Sequence, residues 1–232
     1  MQSPHTTVGI IGTGAMGRGI AQIAAQAGCR VLLLDAREGA AAEARDALGK
    51  QWNKLVEKGK LSTEAAAAAI ARLEIAAGLG ELTYADVVVE AIVEQLEAKR
   101  SLFDELEGIV APGAALATNT SSISVTAIAN GLQHPGRLVG MHFFNPVPLM
   151  KLVEVVSGLQ TEPTVAEAIF ELSKAWGKTP VHAKSTPGFI VNRIARPFYA
   201  ETLALLQEQA ATPQVLDACL KAAGFQIGRA HV

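Results

Sequence analysis

The stretch Val8-Gly9-Ile10-Ile11-Gly12-Thr13-Gly14-Ala15-Met16-Gly17 decides the fold, because an apolar run passes directly into glycines with G-x-G-x-x-G spacing. The run predicts a buried strand, Val8–Thr13, and the residues after it predict a helix, Ala15–Ala27. Gly12 permits a tight turn between them, and Gly17 lets the helix pack closely against the strand. The stretch therefore predicts the first strand and helix of a nucleotide-binding β-α-β unit.

The same unit predicts a dinucleotide site. Its helix begins with unpaired backbone N–H groups that favour phosphate, and Gly14 lets the phosphate approach the backbone. A second predicted strand, Arg30–Asp35, ends in a carboxylate that can bind both ribose hydroxyls. Like charge would repel a 2′-phosphate there, which favours NAD over NADP, although Arg37 argues slightly the other way and FAD uses the same fingerprint. The predicted cofactor contacts of this unit are Gly12, Gly14, Ala15, Met16, Gly17 and Asp35.

Further apolar runs alternate with helical segments and predict an α/β fold. These runs are too apolar for half-exposed strands, and strands buried on both faces indicate a parallel sheet covered by helices. We therefore expect a Rossmann-type, doubly wound sheet. The runs are Asp86–Ala91 and Ala115–Thr118 and, at the far side of the sheet, Leu138–Met141, Leu152–Val156 and Thr179–His182.

The segment between Asp35 and Tyr84 is mostly helix-forming, and it is much longer than an ordinary connection between strands. It predicts two helices, Glu38–Lys58 and Ser62–Leu73, joined at Lys58-Gly59-Lys60. We expect a helical hairpin that projects from the sheet, either as a functional element or as a surface insertion without a role.

The pattern changes after Lys184. Thr186-Pro187-Gly188 interrupts the chain, and two predicted helices, Phe189–Gln209 and Pro213–Ala223, follow without strands. We predict a dinucleotide-binding domain at residues 1–184 and the start of an incomplete all-α C-terminal domain at residues 185–232.

Composition argues against several classes of protein. The 232 residues carry a formal net charge of −2, which gives no general attraction to nucleic acid. No run reaches the roughly 18 apolar residues of a membrane helix, and residues 1–7 do not have the layout of a signal peptide. Two distant cysteines, Cys29 and Cys219, do not suggest a disulfide framework. We expect a cytoplasmic protein without a metal ion, a nucleic-acid partner or a membrane partner.

His142 and Glu154 form a candidate catalytic pair. Oxidising a secondary alcohol with NAD requires a base for the hydroxyl proton, and histidine titrates near working pH. His142 lies at the end of a predicted strand, where open sheets bind ligands. Glu154 lies within an apolar strand, where an unpaired carboxylate would be costly. A carboxylate on the far ring nitrogen of His142 would fix the tautomer of that histidine.

Longer motifs are more specific than the glycines. They are Gly140-Met141-His142-Phe143-Phe144-Asn145-Pro146-Val147-Pro148 followed by Met150-Lys151-Leu152-Val153-Glu154-Val155-Val156, together with Asn119-Thr120-Ser121-Ser122 and Thr186-Pro187-Gly188-Phe189-Ile190-Val191-Asn192-Arg193. Over about residues 8–228 the chain resembles the L-3-hydroxyacyl-CoA dehydrogenase family. The resemblance implies a reversible reaction in which (S)-3-hydroxyacyl-CoA and NAD give 3-oxoacyl-CoA and NADH.

The resemblance also implies roles for single residues. The implied catalytic residues are His142 as the base, Glu154 as its orienting partner, and Ser121 and Asn192 as contacts of the 3-oxygen and thioester region. The implied cofactor contacts are Glu94, Lys99, Ser121 and Asn145, although Lys99 has the alternative of an exposed lysine on a helix. For the CoA substrate the implied contacts are Ser121 and Lys58, while Gln51 stands where a common family pattern has serine.

Three stretches indicate a branch of the family. Trp176-Gly177-Lys178, Ile194-Ala195-Arg196-Pro197 and Glu208-Gln209-Ala210-Ala211 most resemble enzymes of phenylacetate catabolism that act on 3-hydroxyadipyl-CoA, with enzymes for 3-hydroxybutyryl-CoA as the alternative. A dicarboxylic substrate would need a cation near its acyl end, which Arg193 or Arg196 would supply.

The family pattern continues with further helices beyond Gly224-Phe225-Gln226-Ile227-Gly228, whereas Arg229–Val232 departs from it. We therefore expect a C-terminally truncated chain, and the resemblance implies a homodimer for a full-length relative. Two other functions remain open. One is another β-hydroxyacid dehydrogenase, which would typically use a lysine base, and the other is an inactive NAD-binding fragment.

Overall fold

The computed structural model describes residues 6–224, so the divergent segment Arg229–Val232 lies outside the described residues. Contacts between residues divide the chain into two compact units, Met1–Thr186 and Pro187–Val232. This division falls two residues after the boundary drawn from the sequence at Lys184.

The first unit is built on one sheet of eight strands in the order β3-β2-β1-β4-β5-β6-β7-β8. The strands are β1 (Thr7–Ile11), β2 (Arg30–Leu34), β3 (Leu73–Ile75), β4 (Val87–Glu90), β5 (Ala115–Thr118), β6 (Leu138–Phe143), β7 (Leu152–Ser157) and β8 (Thr179–Lys184). Neighbouring strands are parallel except β6 and β7, which are antiparallel, so β7 and β8 run opposite to the other six. The predicted Rossmann-type sheet is confirmed, with two reversed strands at one side.

Helices cover this sheet and make up the second unit. In the first unit they are α1 (Ala15–Gln26), α2 (Ala40–Glu57), α3 (Thr63–Ala71), α4 (Leu96–Ile109), α5 (Val125–Ala129) and α6 (Pro163–Ala175). The second unit contains α7 (Val191–Gln207) and α8 (Pro213–Ala222). Within residues 6–224, none of the helices has both the length and the apolar character that crossing a bilayer requires.

The helices α2 and α3 form the predicted hairpin, but the hairpin packs into the core of the first unit instead of projecting from the sheet. Leu48 and Trp52 on α2 and Ala66 on α3 are buried in the same apolar core as the strands. The second helix also ends earlier than predicted, since Leu73 begins β3 and pairs with Val31 of β2. The hairpin is therefore an integral layer of the first unit.

The second unit begins with a change of backbone direction. Gly188 and Phe189 both have positive φ angles, 74° and 48°, so the predicted helical start at Phe189 is wrong and α7 begins at Val191. Thr212 then caps α8, because its side chain accepts a hydrogen bond from the backbone N–H of Val215.

Candidate active site

Most of the predicted site residues of the first unit lie at one edge of the sheet, where the parallel strands end. In the strand register, Ile11 lies beside Glu90, Glu90 beside Thr118, and Thr118 beside Gly140. The strand order changes direction between β1 and β4, and the crevice at such a point is where open α/β sheets bind ligands.

The glycine loop has the geometry of a dinucleotide site. Gly12 has a φ of 90°, and a Cβ there would lie 2.5 Å from the carbonyl oxygen of Ala91. A Cβ on Gly17 would collide with the carbonyl oxygen of Gly12. At Gly14, by contrast, a Cβ would meet no protein atom within 4 Å. Packing therefore explains Gly12 and Gly17, whereas Gly14 leaves open the side from which a ligand approaches.

The start of α1 also fits a bound pyrophosphate. Gly14 is its N-cap residue and provides no side-chain hydrogen bond, and the first turn contains no acidic residue. The N–H groups and the positive end of the helix dipole are therefore not neutralised by the helix itself. Ala15 is exposed and Met16 is half-buried at this end.

Asp35 follows β2 and holds the glycine loop. Its Oδ2 accepts hydrogen bonds from the backbone N–H and the hydroxyl of Thr13, at 2.6 and 2.8 Å, and its Oδ1 accepts one from the N–H of Arg37. Burial alone would raise the pKa of Asp35, but these hydrogen bonds lower it below its usual value. The Arg37 guanidinium is paired with Glu43, so the cation that would favour NADP already has a carboxylate partner.

His142 and Glu154 face each other across the antiparallel pair β6 and β7. The distance from His142 Nδ1 to Glu154 Oε2 is 2.7 Å, and both side chains are buried, with exposed fractions of 5% and 0%. Because an ionised carboxylate only accepts hydrogen bonds, this contact puts the proton of the neutral imidazole on Nδ1 and the lone pair on Nε2. The ring of Phe144 lies 4.6 Å from the imidazole and flanks it.

Glu94 organises the loop that carries Ser121. Its Oε1 accepts hydrogen bonds from the hydroxyl of Thr120 and the backbone N–H groups of Ser121 and Ser122, at 2.5, 3.0 and 3.2 Å. Burial would raise the pKa of Glu94, but the Thr120 hydroxyl and the charge of Lys99 lower it to about 2. Glu94 therefore remains ionised and holds Ser121 in place.

Lys99 is buried rather than an exposed helical lysine, with 1% of its surface accessible. Its ammonium lies 2.5 Å from Glu90 Oε1 and 3.3 Å from Glu94 Oε2, and Thr118 donates to the other oxygen of Glu90. Glu90 has no accessible surface, and the sequence analysis assigned it no role. Glu90 is an acid in an otherwise apolar strand, Val87–Glu90, which is the same sequence pattern that identified Glu154. Its need for a partner could therefore have been predicted from the sequence.

Asn145 lies on the exposed loop between β6 and β7. Hydrogen bonds anchor this loop and the end of β6 that precedes it. The Lys178 ammonium donates to the carbonyl oxygens of Val147 and Met150, at 2.5 and 2.9 Å, and burial lowers the pKa of Lys178. Asn119 Oδ1 accepts from the N–H of Phe143, which ties the Ser121 loop to β6. Neither Lys178 nor Asn119 had been assigned a role from the sequence.

Two predicted residues lie on other elements. Lys58 is exposed at the carboxyl end of α2, in the helical hairpin. Asn192 lies in the first turn of α7, in the second unit. The structure of the first unit therefore brings together the glycine loop and Asp35, the Glu94 group with Ser121 and Lys99, and the pair His142 and Glu154.

Gly14→Ala and Gly17→Ala separate the two roles of the glycines. We expect Gly14→Ala to weaken NADH binding by about 10-fold or more with a nearly unchanged free energy of unfolding, because the new methyl group meets only the ligand. Gly17→Ala should instead lower the free energy of unfolding by about 3 kcal/mol through overpacking. Fluorescence titration and urea unfolding measure the two effects. Equal NADH affinity in Gly14→Ala and the unchanged chain would contradict the assignment.

Glu94→Gln tests the carboxylate that holds residues 120–122. The pKa of Glu94 falls from 4.5 to about 2 on folding, so its charge stabilises the fold above about pH 4.5, and this contribution is lost as the pH falls toward about 2. We expect a lower urea midpoint than in the unchanged chain near neutral pH and a vanishing difference at low pH. Glu97→Gln, at an exposed site on α4, is the control. A difference that does not depend on pH would rule out this explanation.

Comparison with known proteins identifies the family. Residues 7–186 match the model of the 3-hydroxyacyl-CoA dehydrogenase NAD binding domain, and residues 188–232 match that of the 3-hydroxyacyl-CoA dehydrogenase C-terminal domain. The chain is 49% identical to 3-hydroxyadipyl-CoA dehydrogenase of Escherichia coli (strain K12), over 96% of this chain and 47% of the relative. It is 42% identical to a probable 3-hydroxybutyryl-CoA dehydrogenase of Deinococcus radiodurans, over 92% of this chain and 76% of the relative.

Solved structures give the same relationship. The crystal structure of 3-hydroxybutyryl-CoA dehydrogenase from Escherichia coli K12 matches with a TM-score of 0.94 at 49% identity, over 97% of this chain and 48% of the other. That of (S)-3-hydroxybutyryl-CoA dehydrogenase from Ralstonia eutropha matches with a TM-score of 0.93 at 39% identity, over 96% and 79%. The chain thus spans about half the length of the two Escherichia coli relatives. It belongs to the 3-hydroxyacyl-CoA dehydrogenase family and contains the family's domain for the cofactor NAD.

Proposed function

We propose that this chain catalyses the NAD-dependent oxidation of (S)-3-hydroxyacyl-CoA to 3-oxoacyl-CoA, with His142 as the general base and Glu154 as its orienting partner. The observation that carries the proposal is the buried contact of 2.7 Å between His142 Nδ1 and Glu154 Oε2 at the ligand-binding edge of the sheet. Family membership supports the class of reaction, and the pair supplies the proton acceptor that the reaction needs.

Each proposed site residue has a separate role in the reaction. His142 Nε2 accepts the hydroxyl proton of the substrate, and Glu154 stabilises the imidazolium that results. Ser121, held by Glu94, contacts the 3-oxygen beside the cofactor, and Asn192 contacts the thioester region. The glycine loop and Asp35 would hold NAD, which would supply the acceptor for the hydride from the carbon that carries the hydroxyl. In the reverse direction His142 returns the proton to the 3-oxygen.

Three features support NAD as the cofactor in this scheme. The glycine loop leaves room at Gly14, the start of α1 is not neutralised, and Asp35 presents an ionised carboxylate at the end of β2. The roles of Ala15, Met16 and Asn145 as further cofactor contacts, and of Lys58 as a CoA contact, belong to the same proposal. So does the division into a NAD-binding domain at residues 1–184 and a helical domain that starts at residue 185.

His142→Gln tests the base. We expect turnover in the direction of NADH oxidation with acetoacetyl-CoA to fall by about 10²–10⁴-fold, while NADH binding changes little, because glutamine preserves the polarity but accepts no proton at this pH. His134→Gln is the matched control, since His134 is exposed just before β6 begins, at the opposite end of the same strand.

Each outcome of this experiment favours one of the functions that the sequence left open. Turnover that survives His142→Gln would refute the base assignment and favour a β-hydroxyacid dehydrogenase with a lysine base. NADH binding without any turnover in the unchanged chain would favour the inactive NAD-binding fragment.

We further propose 3-hydroxyadipyl-CoA as the substrate, with 3-hydroxybutyryl-CoA as the alternative. The curated relative named 3-hydroxyadipyl-CoA dehydrogenase is 49% identical to this chain, and the curated bacterial relatives named for hydroxybutyryl-CoA are 39–42% identical. The solved Escherichia coli structure named for 3-hydroxybutyryl-CoA is also 49% identical, which is why that substrate stays the alternative. Arg193 and Arg196 lie on α7 and are exposed, and either would supply the cation for a terminal carboxylate.

A side-by-side measurement of kcat/KM for the adipyl and butyryl substrates tests this preference. We expect a preference of about 10-fold or more for 3-hydroxyadipyl-CoA, since one charge-assisted hydrogen bond contributes about that factor. Arg193→Ala and Arg196→Ala should reduce it if either residue binds the second carboxylate. A clear preference for the butyryl substrate would refute the assignment.

A further inference from the structure

Two carboxylates share one ammonium at the end of β4 and in the loop that follows it. Lys99 of α4 is almost fully buried, and its Nζ lies 2.5 Å from Glu90 Oε1 and 3.3 Å from Glu94 Oε2. Among residues 6–224, the ion pairs of Glu90 and of Glu94 are both with Lys99. Two carboxylates at −1 each and one ammonium at +1 leave this cluster with a formal charge of −1.

Glu90 is the member of the cluster that holds the ammonium. Its Oε1 accepts hydrogen bonds from the backbone N–H of Ile92 and from Lys99 Nζ, at 2.8 and 2.5 Å, and its Oε2 accepts one from the hydroxyl of Thr118 at 2.7 Å. Glu90 has no accessible surface, so it does not itself touch a ligand. The shorter of the two contacts of Lys99 is the one to Glu90, and the positive charge is therefore balanced mainly there.

The unbalanced negative charge of the cluster lies on Glu94. The side chain of Glu94 is 37% exposed, whereas those of Lys99 and Glu90 are buried. Despite the partial burial of Glu94, its hydrogen bond from Thr120 and the charge of Lys99 hold its pKa at about 2. Glu94 is therefore ionised near neutral pH, and it is the one member of the cluster whose charge is open to a ligand.

This charge lies on the side of the crevice where the fold places nicotinamide. Asp35 at the end of β2 marks the adenosine half of a dinucleotide, and the glycine loop after β1 marks its pyrophosphate. The second mononucleotide half is expected across the point where the strand order reverses, over β4 and β5. Glu94 follows β4, and its Oε1 accepts a hydrogen bond from the backbone N–H of Ser121, which follows β5.

We propose that Glu90 is a positioning residue that pairs with Lys99, leaves the charge of Glu94 unbalanced, and thereby favours the oxidised form of NAD over NADH. The nicotinamide ring is positively charged in oxidised NAD and neutral in NADH, so a nearby negative charge stabilises the oxidised form selectively. The inference rests on the family's cofactor and on the geometry of the cluster. It concerns the binding of the two forms of NAD and does not depend on the roles proposed for His142 and Glu154.

Glu90→Gln is the first test, because it removes a charge from a residue that no ligand touches. Lys99 then has Glu94 as its remaining carboxylate partner, and the cluster becomes neutral. We measure the Kd of NADH on the full chain by its fluorescence, and the Kd of oxidised NAD by competition against NADH. The ratio of the Kd of oxidised NAD to that of NADH should rise by about 5- to 20-fold, whereas a purely structural loss weakens both forms alike. Glu97→Gln, at a carboxylate of α4 that is 82% exposed, is the matched control and should leave the ratio unchanged.

Glu90→Gln combined with Lys99→Met gives a second readout that separates charge from structure. The double variant loses one negative and one positive charge, so the formal charge of the cluster returns to −1, on Glu94. We expect the ratio of the two dissociation constants to return to within about 2-fold of that of the unchanged chain. A structural explanation expects the opposite, because the double variant has lost the whole ion pair between Glu90 and Lys99.

Urea unfolding shows whether each variant is folded. If Glu90→Gln does not fold, Glu94→Gln removes the same charge from the accessible member, and the same rise in the ratio is expected. An unchanged ratio in the folded single variant, a ratio that stays raised in the double variant, or no binding of either form by the unchanged chain would each overturn the inference. If the ratios change as expected but the unchanged chain turns over no substrate, the proposed function fails and the inference stands.

Discussion

Buried carboxylates require hydrogen-bonding or charged partners, and this requirement organises the ligand-binding edge of the sheet. Glu90 and Glu154 are both fully buried, and an unpaired charge in such a place costs several kcal/mol. Each therefore has a defined neighbour. Glu154 contacts His142 across β6 and β7, and Glu90 contacts Lys99 of α4 and Thr118 of β5. These contacts fix the relative positions of the four strands β4, β5, β6 and β7 and of helix α4, where the candidate chemistry is located.

The polar loops above this edge depend on the same pairs. Lys99 also approaches Glu94, and Glu94 in turn holds the backbone of Ser121 and the hydroxyl of Thr120. Asn119 connects this loop to β6 beside His142 through the N–H of Phe143. These hydrogen bonds hold the backbone of the loop that carries Ser121, the proposed catalytic serine, and catalysis requires this kind of preorganisation. Family membership supports the class of reaction, and this geometry fits the proposed roles of His142 and Ser121 in it.

Prediction of the fold succeeded where periodicity and glycine spacing were strong. The strand at Ala115–Thr118 and the start of α1 at Ala15 match the prediction, whereas the three-residue strand β3 was missed because its residues continue a helical pattern. The hairpin was predicted, but its packing was not, because burial of Trp52 depends on distant elements. The reversed direction of β7 and β8 was not predicted either, because a buried strand has the same apolar pattern in both directions.

By itself, the sequence determined most of the strands and helices and their order, the dinucleotide loop and the residue types of the proposed catalytic pair, because these depend on local spacing and on the chemistry of single side chains. Only the tertiary structure decided which groups meet. It buried Lys99 against Glu90, paired Arg37 with Glu43, and placed the more exposed Glu94 beside the same ammonium as Glu90. Such contacts join residues on different elements, and their geometry follows from sheet register and helix packing, which no local pattern encodes.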